Sequence, residues 1–237
     1  MPIPQTASNS LLAALPRKSY LRLLPGLVPV ELAFGEVLYE AGGAIRDVYF
    51  PSRSLVSLLT LVEGHLALEV GLVGREGMVG LPLALGVGVS PVRALVQGAG
   101  PALKMSAARF RTALGASPPL QRELDRYVHA LMAQISQTAG CNRFHLVETR
   151  LARWLLMTRD RLRSGQFRMT QEFLSHMLGV RRVGVTEAAS ALQRRRLIKY
   201  SRGNITILDN LGLEAACCSC YRVVRDMHDP ASKALHY

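Results

Sequence analysis

Arg181, Arg182, Val183, Thr186, Glu187 and Ser190 recur at steps of one and three, which gather side chains on one side of a helix. These residue types can read DNA. A guanidinium meets the two acceptors of a guanine bidentately, a threonine methyl meets a thymine methyl, and hydroxyls reach phosphates. Arg181 stands where a Ser or Thr would cap the helix, and a cation there opposes the helix dipole by about 0.3 to 1 kcal/mol. A bound phosphate would compensate it, and residues that break a local rule are often functional. Arg194, Arg195 and Arg196 at the helix end and Arg202 beyond it are placed to touch phosphates. For the first three, solvated charge beside a helix C-terminus that favours cations is an equal reading.

Other chemistry is weaker. Cys217-Cys218-Ser219-Cys220 contains a C-x-x-C but matches no pair of separated C-x-x-C units, so the expectation is no metal. The thiols read as buried or incidental, with a redox pair and a metal as lesser alternatives, and Cys141 reads as structural. His65, His129, His145, His176, His228 and His236 show no ligand spacing with carboxylates or with one another. Gly74 to Gly80 lacks the Gly-Lys-Ser/Thr ending of a phosphate loop and reads as a turn run. There is no G-x-S-x-G, and no nucleophile, base and orienting partner group together, so an enzyme is not expected.

The elements that must position the basic face follow from pattern. Thr170 is an N-cap for a helix over Gln171 to Leu178, with Glu172 in its first turn and Gly179 as the turn residue after it. Val180 to Arg196 is a second helix with Val185, Ala188, Ala189 and Leu192 inward. Leu197 to Tyr200 and Ile205 to Leu208, joined by Ser201-Arg202-Gly203-Asn204, form a hairpin. Helix, glycine turn, helix and hairpin describe a winged helix-turn-helix whose second helix can enter the major groove. Charge agrees: residues 1 to 143 carry 13 basic and 9 acidic side chains (+4), whereas 144 to 237 carry 16 and 8 (+8).

Upstream, Val147, Leu151, Trp154, Leu155 and Leu162 mark another amphipathic helix. Before it, Leu120, Leu124, Tyr127, Leu131, Ile135 and Thr138 follow one another at helical steps, and Val128, Met132, Ile135 and Ala139 form a second stripe. Two stripes exceed what one neighbour covers, which predicts a partner helix from a second subunit; Leu120, Leu124, Tyr127, Val128, Leu131, Met132 and Ile135 are the expected dimerisation residues. From Leu27 to about Met105 short apolar runs alternate with glycines, as in a small sandwich or barrel. Leu66, Leu68 and Val70 alternate with Ala67 and Glu69, which predicts a strand with the leucines and valine on its buried face.

At 237 residues and 49% apolar content the chain is globular, and one domain or two are both admissible. The charge-free run Gly77 to Val92 is broken by glycines and prolines and is too short to span a bilayer. Met1 to Ser10 has no secretory pattern, so a cytoplasmic location with reduced cysteines and no membrane partner is expected.

With these features in place, the chain resembles the Crp/Fnr family of bacterial transcription regulators. The resemblance rests on Gly35-Glu36-Val37-Leu38-Tyr39 followed by Val48-Tyr49-Phe50-Pro51, on Gly74 to Gly80, and on Thr170-Gln171-Glu172-Phe173-Leu174 through Leu178-Gly179-Val180 and Leu197-Ile198. It implies an α+β chain with three parts: a jelly-roll-like β-roll sensor at 1–117, a dimerisation helix at 118–143 and a winged helix-turn-helix at 144–237. It further implies a homodimer on a palindromic double-stranded operator, contact with RNA polymerase, and a small-molecule effector whose identity stays open. An effector- or redox-gated sensor with negligible DNA binding in the apo state is the alternative. Thr170, Arg181, Arg182, Val183, Thr186, Glu187, Ser190 and Arg202 are the expected DNA-binding residues. Members that bind a cyclic nucleotide carry a Gly-Glu pair and an Arg with Ser or Thr, where this chain has Val79-Gly80 and Ser90-Pro91. No cofactor is therefore expected, and cAMP least of all. Val183 and Glu187 also depart from the pattern of well-known members and imply a different operator.

Overall fold

The computed structural model describes residues 9–62 and 67–228. His65, Leu66 and His236 lie outside them. The chain divides into two compact units, one of residues 1–60 and 72–131, the other of 61–71 and 132–237.

The first unit opens with α1 (Ser10–Ala13) and α2 (Arg17–Leu23). Asn9 caps α1 by accepting from the Leu12 N–H, while its amide donates to the Pro51 and Gly77 carbonyls at 2.9 and 2.8 Å. The strands follow: β1 (Val28–Leu32), β2 (Val37–Tyr39), β3 (Asp47–Pro51), β4 (Leu55–Thr60), β5 (Leu68–Val73), β6 (Arg93–Gly98) and β7 (Gly100–Ser106). They form two sheets, of order β1-β7-β3 and β2-β6-β4-β5. In the first, β7 is the central strand, with Val28 opposite Lys104 and Asp47 opposite Ser106. In β3, Val48 and Phe50 are buried on either side of half-exposed Tyr49, the period of a strand with one covered face. β4 is buried from Leu55 to Leu59, as expected of a strand covered on both faces. Gly100 supplies the corner into β7: its φ is +150°, and a Cβ there would stand 2.8 Å from the Arg53 carbonyl oxygen. The β-rich reading of this half holds, although β1 and β7 carried no distinct run of their own.

Two helices follow, α3 (Ala107–Gly115) and the long α4 (Pro118–Phe144). Leu120, Leu124, Tyr127 and Leu131 of α4 are buried by the chain's own packing, the Tyr127 ring lying on Gly77 where no side chain would fit. Val128 is half-buried, while Met132 and Ile135 are 64% and 36% exposed. The expected dimerisation set thus splits. Four of its seven members are core residues, because one α4 stripe packs inside the protomer, and the outward stripe is Val128, Met132, Ile135 and Ala139.

In the second unit α5 (Val147–Leu162) is the central element, buried from Arg150 to Thr158. Around it stand α6 (Gln171–Leu178), α7 (Arg182–Arg194), α8 (Asn210–Ala216) and α9 (Cys220–His228). A small sheet completes the unit: β8 (Gln166–Arg168), β9 (Ile198–Ser201) and β10 (Asn204–Ile207), in the order β8-β10-β9. The expected facing of Glu69 is overturned. Glu69 is buried and accepts from the Trp154 indole N–H at 3.0 Å, while Leu68 and Val70 are half-exposed. A strand carries its polar residue inward when a buried donor there needs an acceptor.

Candidate nucleic-acid interface

Thr170 caps α6, its hydroxyl accepting from the Phe173 N–H at 3.1 Å, with Glu172 in the first turn. The helix ends on Gly179 at φ 60°, and the bonds Gly179 N–H to His176 and Val180 N–H to Ser175 close it. A Cβ at Gly179 would lie 2.6 Å from Leu68 Cδ1, so both conformation and space demand glycine. The chain then enters α7, whose N-cap is Arg181 with no side-chain capping bond.

Val185, Ala188, Ala189 and Leu192 are buried, which leaves Arg181, Arg182, Val183, Thr186 and Glu187 exposed and Ser190 half-exposed. The face expected from spacing is therefore the outward face of α7. Thr186 is already engaged: its Oγ1 lies 3.0 Å from both Gln171 Oε1 and the Arg182 carbonyl oxygen. Its proton is held inside the protein, and the methyl is the group left to meet a base. Arg195 pairs with Glu148 at 2.9 Å, which favours the surface-charge reading for that residue.

The β9–β10 hairpin turns on Arg202 and Gly203, at φ 49° and 78°, the pair of left-handed residues that a type I′ turn requires. Tyr200 docks this wing, its hydroxyl donating to the Met169 carbonyl at 2.8 Å and its N–H to Gln193 Oε1 at 2.8 Å. Burial pushes the Tyr200 hydroxyl pKa up, so it remains a donor. Between α7 and the wing lies a cleft of about 320 Å³, lined among others by Arg168, Thr170, Gln171, Arg182, Ser190 and Arg202. Three guanidinium side chains line one hollow, and no carboxylate side chain does. Thr170, Arg182, Ser190 and Arg202 were expected here. Arg168 was missed, because β8 is three residues long and carries no strand pattern.

In the first unit lie Val79-Gly80 and Ser90, which the resemblance compares with the residues of a cyclic-nucleotide site. Val79 is buried and exchanges backbone bonds of 2.8 and 3.0 Å with Tyr49, and the Gly80 N–H donates to the Tyr39 hydroxyl at 2.9 Å. Ser90 is buried and donates to the Val92 carbonyl at 2.7 Å. Arg93, the nearest guanidinium, is paired with Glu40 at 2.6 Å.

Cys141, His145, Cys218 and Cys220 also meet in the second unit, with their ligand atoms all within 4.8 Å of one another. Cys141, expected to be structural, and His145 stand four residues apart, the one signal of this group in the sequence.

Residues 149–216 match the Crp-like helix-turn-helix domain family. No curated protein matches the sequence. Among solved structures, FixK2 of Bradyrhizobium japonicum has a TM-score of 0.69 at 15% identity, covering 81% of this chain and 98% of its own. The c-di-GMP-responsive global regulator CLP of Xanthomonas campestris has a TM-score of 0.67 at 15% identity, with 82% and 100% covered. A Crp/Fnr-family transcriptional regulator of Thermus thermophilus has a TM-score of 0.64 at 20% identity, with 80% and 97% covered. At these identities the structural likeness is one of fold.

Proposed function

We propose that this chain is a Crp/Fnr-type DNA-binding transcription regulator that acts as a homodimer on a palindromic operator read by α7, a reading supported by its Crp-like helix-turn-helix segment at residues 149–216. The observation that carries this reading is the cleft between α7 and the wing, where Arg182 from the helix and Arg168 and Arg202 from the sheet line one hollow. Arg182, Val183, Thr186, Glu187 and Ser190 lie against base edges, and Arg181, Arg168 and Arg202 hold phosphates on either side. Phosphate at the start of α7 supplies the negative partner that its uncapped end lacks. The outward α4 stripe of Val128, Met132, Ile135 and Ala139 is the dimer seam, and a two-fold protein implies half-sites about one helical turn apart.

Control by cAMP is not part of this reading. The Arg93–Glu40 pair and the absence of an acidic residue at Gly80 leave a cyclic phosphate and its ribose without their partners. Selection of the purified protein against a random duplex pool at near-physiological salt tests the proposal. Enrichment of a palindrome with the expected spacing is the predicted result. Equal retention of RNA and scrambled duplexes by folded, dimeric protein would overturn it, and enrichment only after cAMP is added would overturn the second part.

A further inference from the structure

We infer that Cys141, His145, Cys218 and Cys220 form a closed tetrahedral site for a structural zinc ion, which fastens the start of α9 to the end of α4. Two pieces of chain supply the ligands. Cys141 lies in the last turn of α4, and His145 follows one turn later, its N–H still bonded to the Cys141 carbonyl at 3.1 Å. Both side chains therefore project from one side of the helix end. Cys218 and Cys220 flank the start of α9, where the Tyr221 N–H bonds to the Cys218 carbonyl at 3.1 Å.

Two of the six ligand-to-ligand spacings match the edges of a zinc tetrahedron, and all six lie within 4.8 Å. Ligand bonds of about 2.3 Å to sulfur and about 2.0 to 2.1 Å to imidazole nitrogen set tetrahedral edges of roughly 3.8 Å between two sulfurs and roughly 3.5 Å between sulfur and nitrogen. Cys141 Sγ and Cys218 Sγ are 3.6 Å apart, and Cys220 Sγ and His145 Nδ1 are 3.5 Å apart. Three sulfurs and one imidazole is a common structural zinc set, and four protein ligands leave no open position for chemistry.

The surroundings fit the same charge. Three thiolates and a neutral imidazole around a dication carry one net negative charge. Arg150 and Arg153 are buried and interact electrostatically with Cys141, and the Nε of each has no hydrogen-bond partner among the described residues. Two buried cations with no carboxylate ion-paired to them among the described residues are offset by an anionic cluster beside them. Gln137 donates from Nε2 to Cys220 Sγ at 3.0 Å, the outer-shell hydrogen bond that orients a ligating sulfur. Cys217 is outside the group: its Sγ bonds back to the Glu214 carbonyl at 3.1 Å. The half-exposed Cys218 and His145 leave a route for the ion.

Metal analysis of the full chain, purified reduced and without a metal-affinity tag, tests this. A single zinc per chain is expected, retained by Cys217→Ser and lost by Cys218→Ser and by His145→Ala. Gln137→Ala should weaken zinc binding by about 10-fold. If the ligand variants do not fold, cobalt titration of the metal-stripped wild type decides, through the absorption of tetrahedral cobalt with thiolate ligands. Reduced wild-type protein that binds neither zinc nor cobalt overturns the inference. So does loss of zinc in Cys217→Ser, zinc unaffected by the ligand variants, or an iron-sulfur cluster in its place.

Discussion

Trp154 Nε1 donates a 3.0 Å hydrogen bond to Glu69 Oε1, joining α5 to residues 67–71 inside the second unit. Both residues are buried, and Trp154 is the chain's sole tryptophan. Glu69→Leu leaves the indole N–H without its acceptor and should cost about 1 to 3 kcal/mol, whereas Glu69→Gln keeps an acceptor oxygen and should cost less. Urea unfolding followed by tryptophan fluorescence measures both. A Leu variant as stable as the parent would mean that the hydrogen bond is not needed in the fold.

Arg182 starts α7 on its exposed face and lines the cleft beside the wing. Arg182→Ala is expected to lower affinity for the selected operator by about 1 to 3 kcal/mol and to relax preference at one base pair per half-site. Competition with operators varied one base at a time is the check. Equal weakening on every sequence would make Arg182 a phosphate contact instead.

Arg168 and Arg202 sit on the sheet side of the same hollow. Arg168→Ala and Arg202→Ala should each weaken binding nearly uniformly over sequence and shallow the slope of log affinity against log salt by about one. An unchanged slope would remove that residue from the interface.

Thr186 has its hydroxyl held by Gln171 and the Arg182 carbonyl, so its methyl is the group free to meet a base. Thr186→Val, which keeps a methyl there, should retain the sequence preference with affinity within about 0.5 kcal/mol. Thr186→Ser should blunt it. The reverse order in a binding titration would show that the hydroxyl turns to the DNA.

Arg163 is exposed at the C-cap of α5 in the left-handed conformation, φ 53°. Glycine adopts that conformation without the clash of a Cβ, so Arg163→Gly should raise stability by about 1 kcal/mol. Denaturant unfolding tests it, and a loss of stability would show that the Arg163 side chain is itself a stabilising contact.

Local pattern was enough for the helix-turn-helix and its outward face. Thr170 and Gly179 mark the ends of α6 through capping geometry, and Val185, Ala188, Ala189 and Leu192 fix which side of α7 is inside, both effects that act within a few residues of chain. The Crp/Fnr resemblance, read from the order of short motifs, agrees with the helix-turn-helix family match and with the fold. Sequence alone did not reveal what depends on distant partners. Periodicity marked two apolar stripes on α4 but could not say that Leu120, Leu124, Tyr127 and Leu131 belong to the protomer's own core, because that depends on what packs against each stripe. Strand alternation placed Glu69 outward, and the Trp154 indole 85 residues away reversed it. Arg168 reached the cleft through pairing of β8 with β10, and Cys141 with His145 met Cys218 and Cys220 across a long stretch of the second unit's chain. Spacing along a helix or strand is local geometry and is written in the sequence; the meeting of groups far apart in it is decided by packing, which only the tertiary structure supplies.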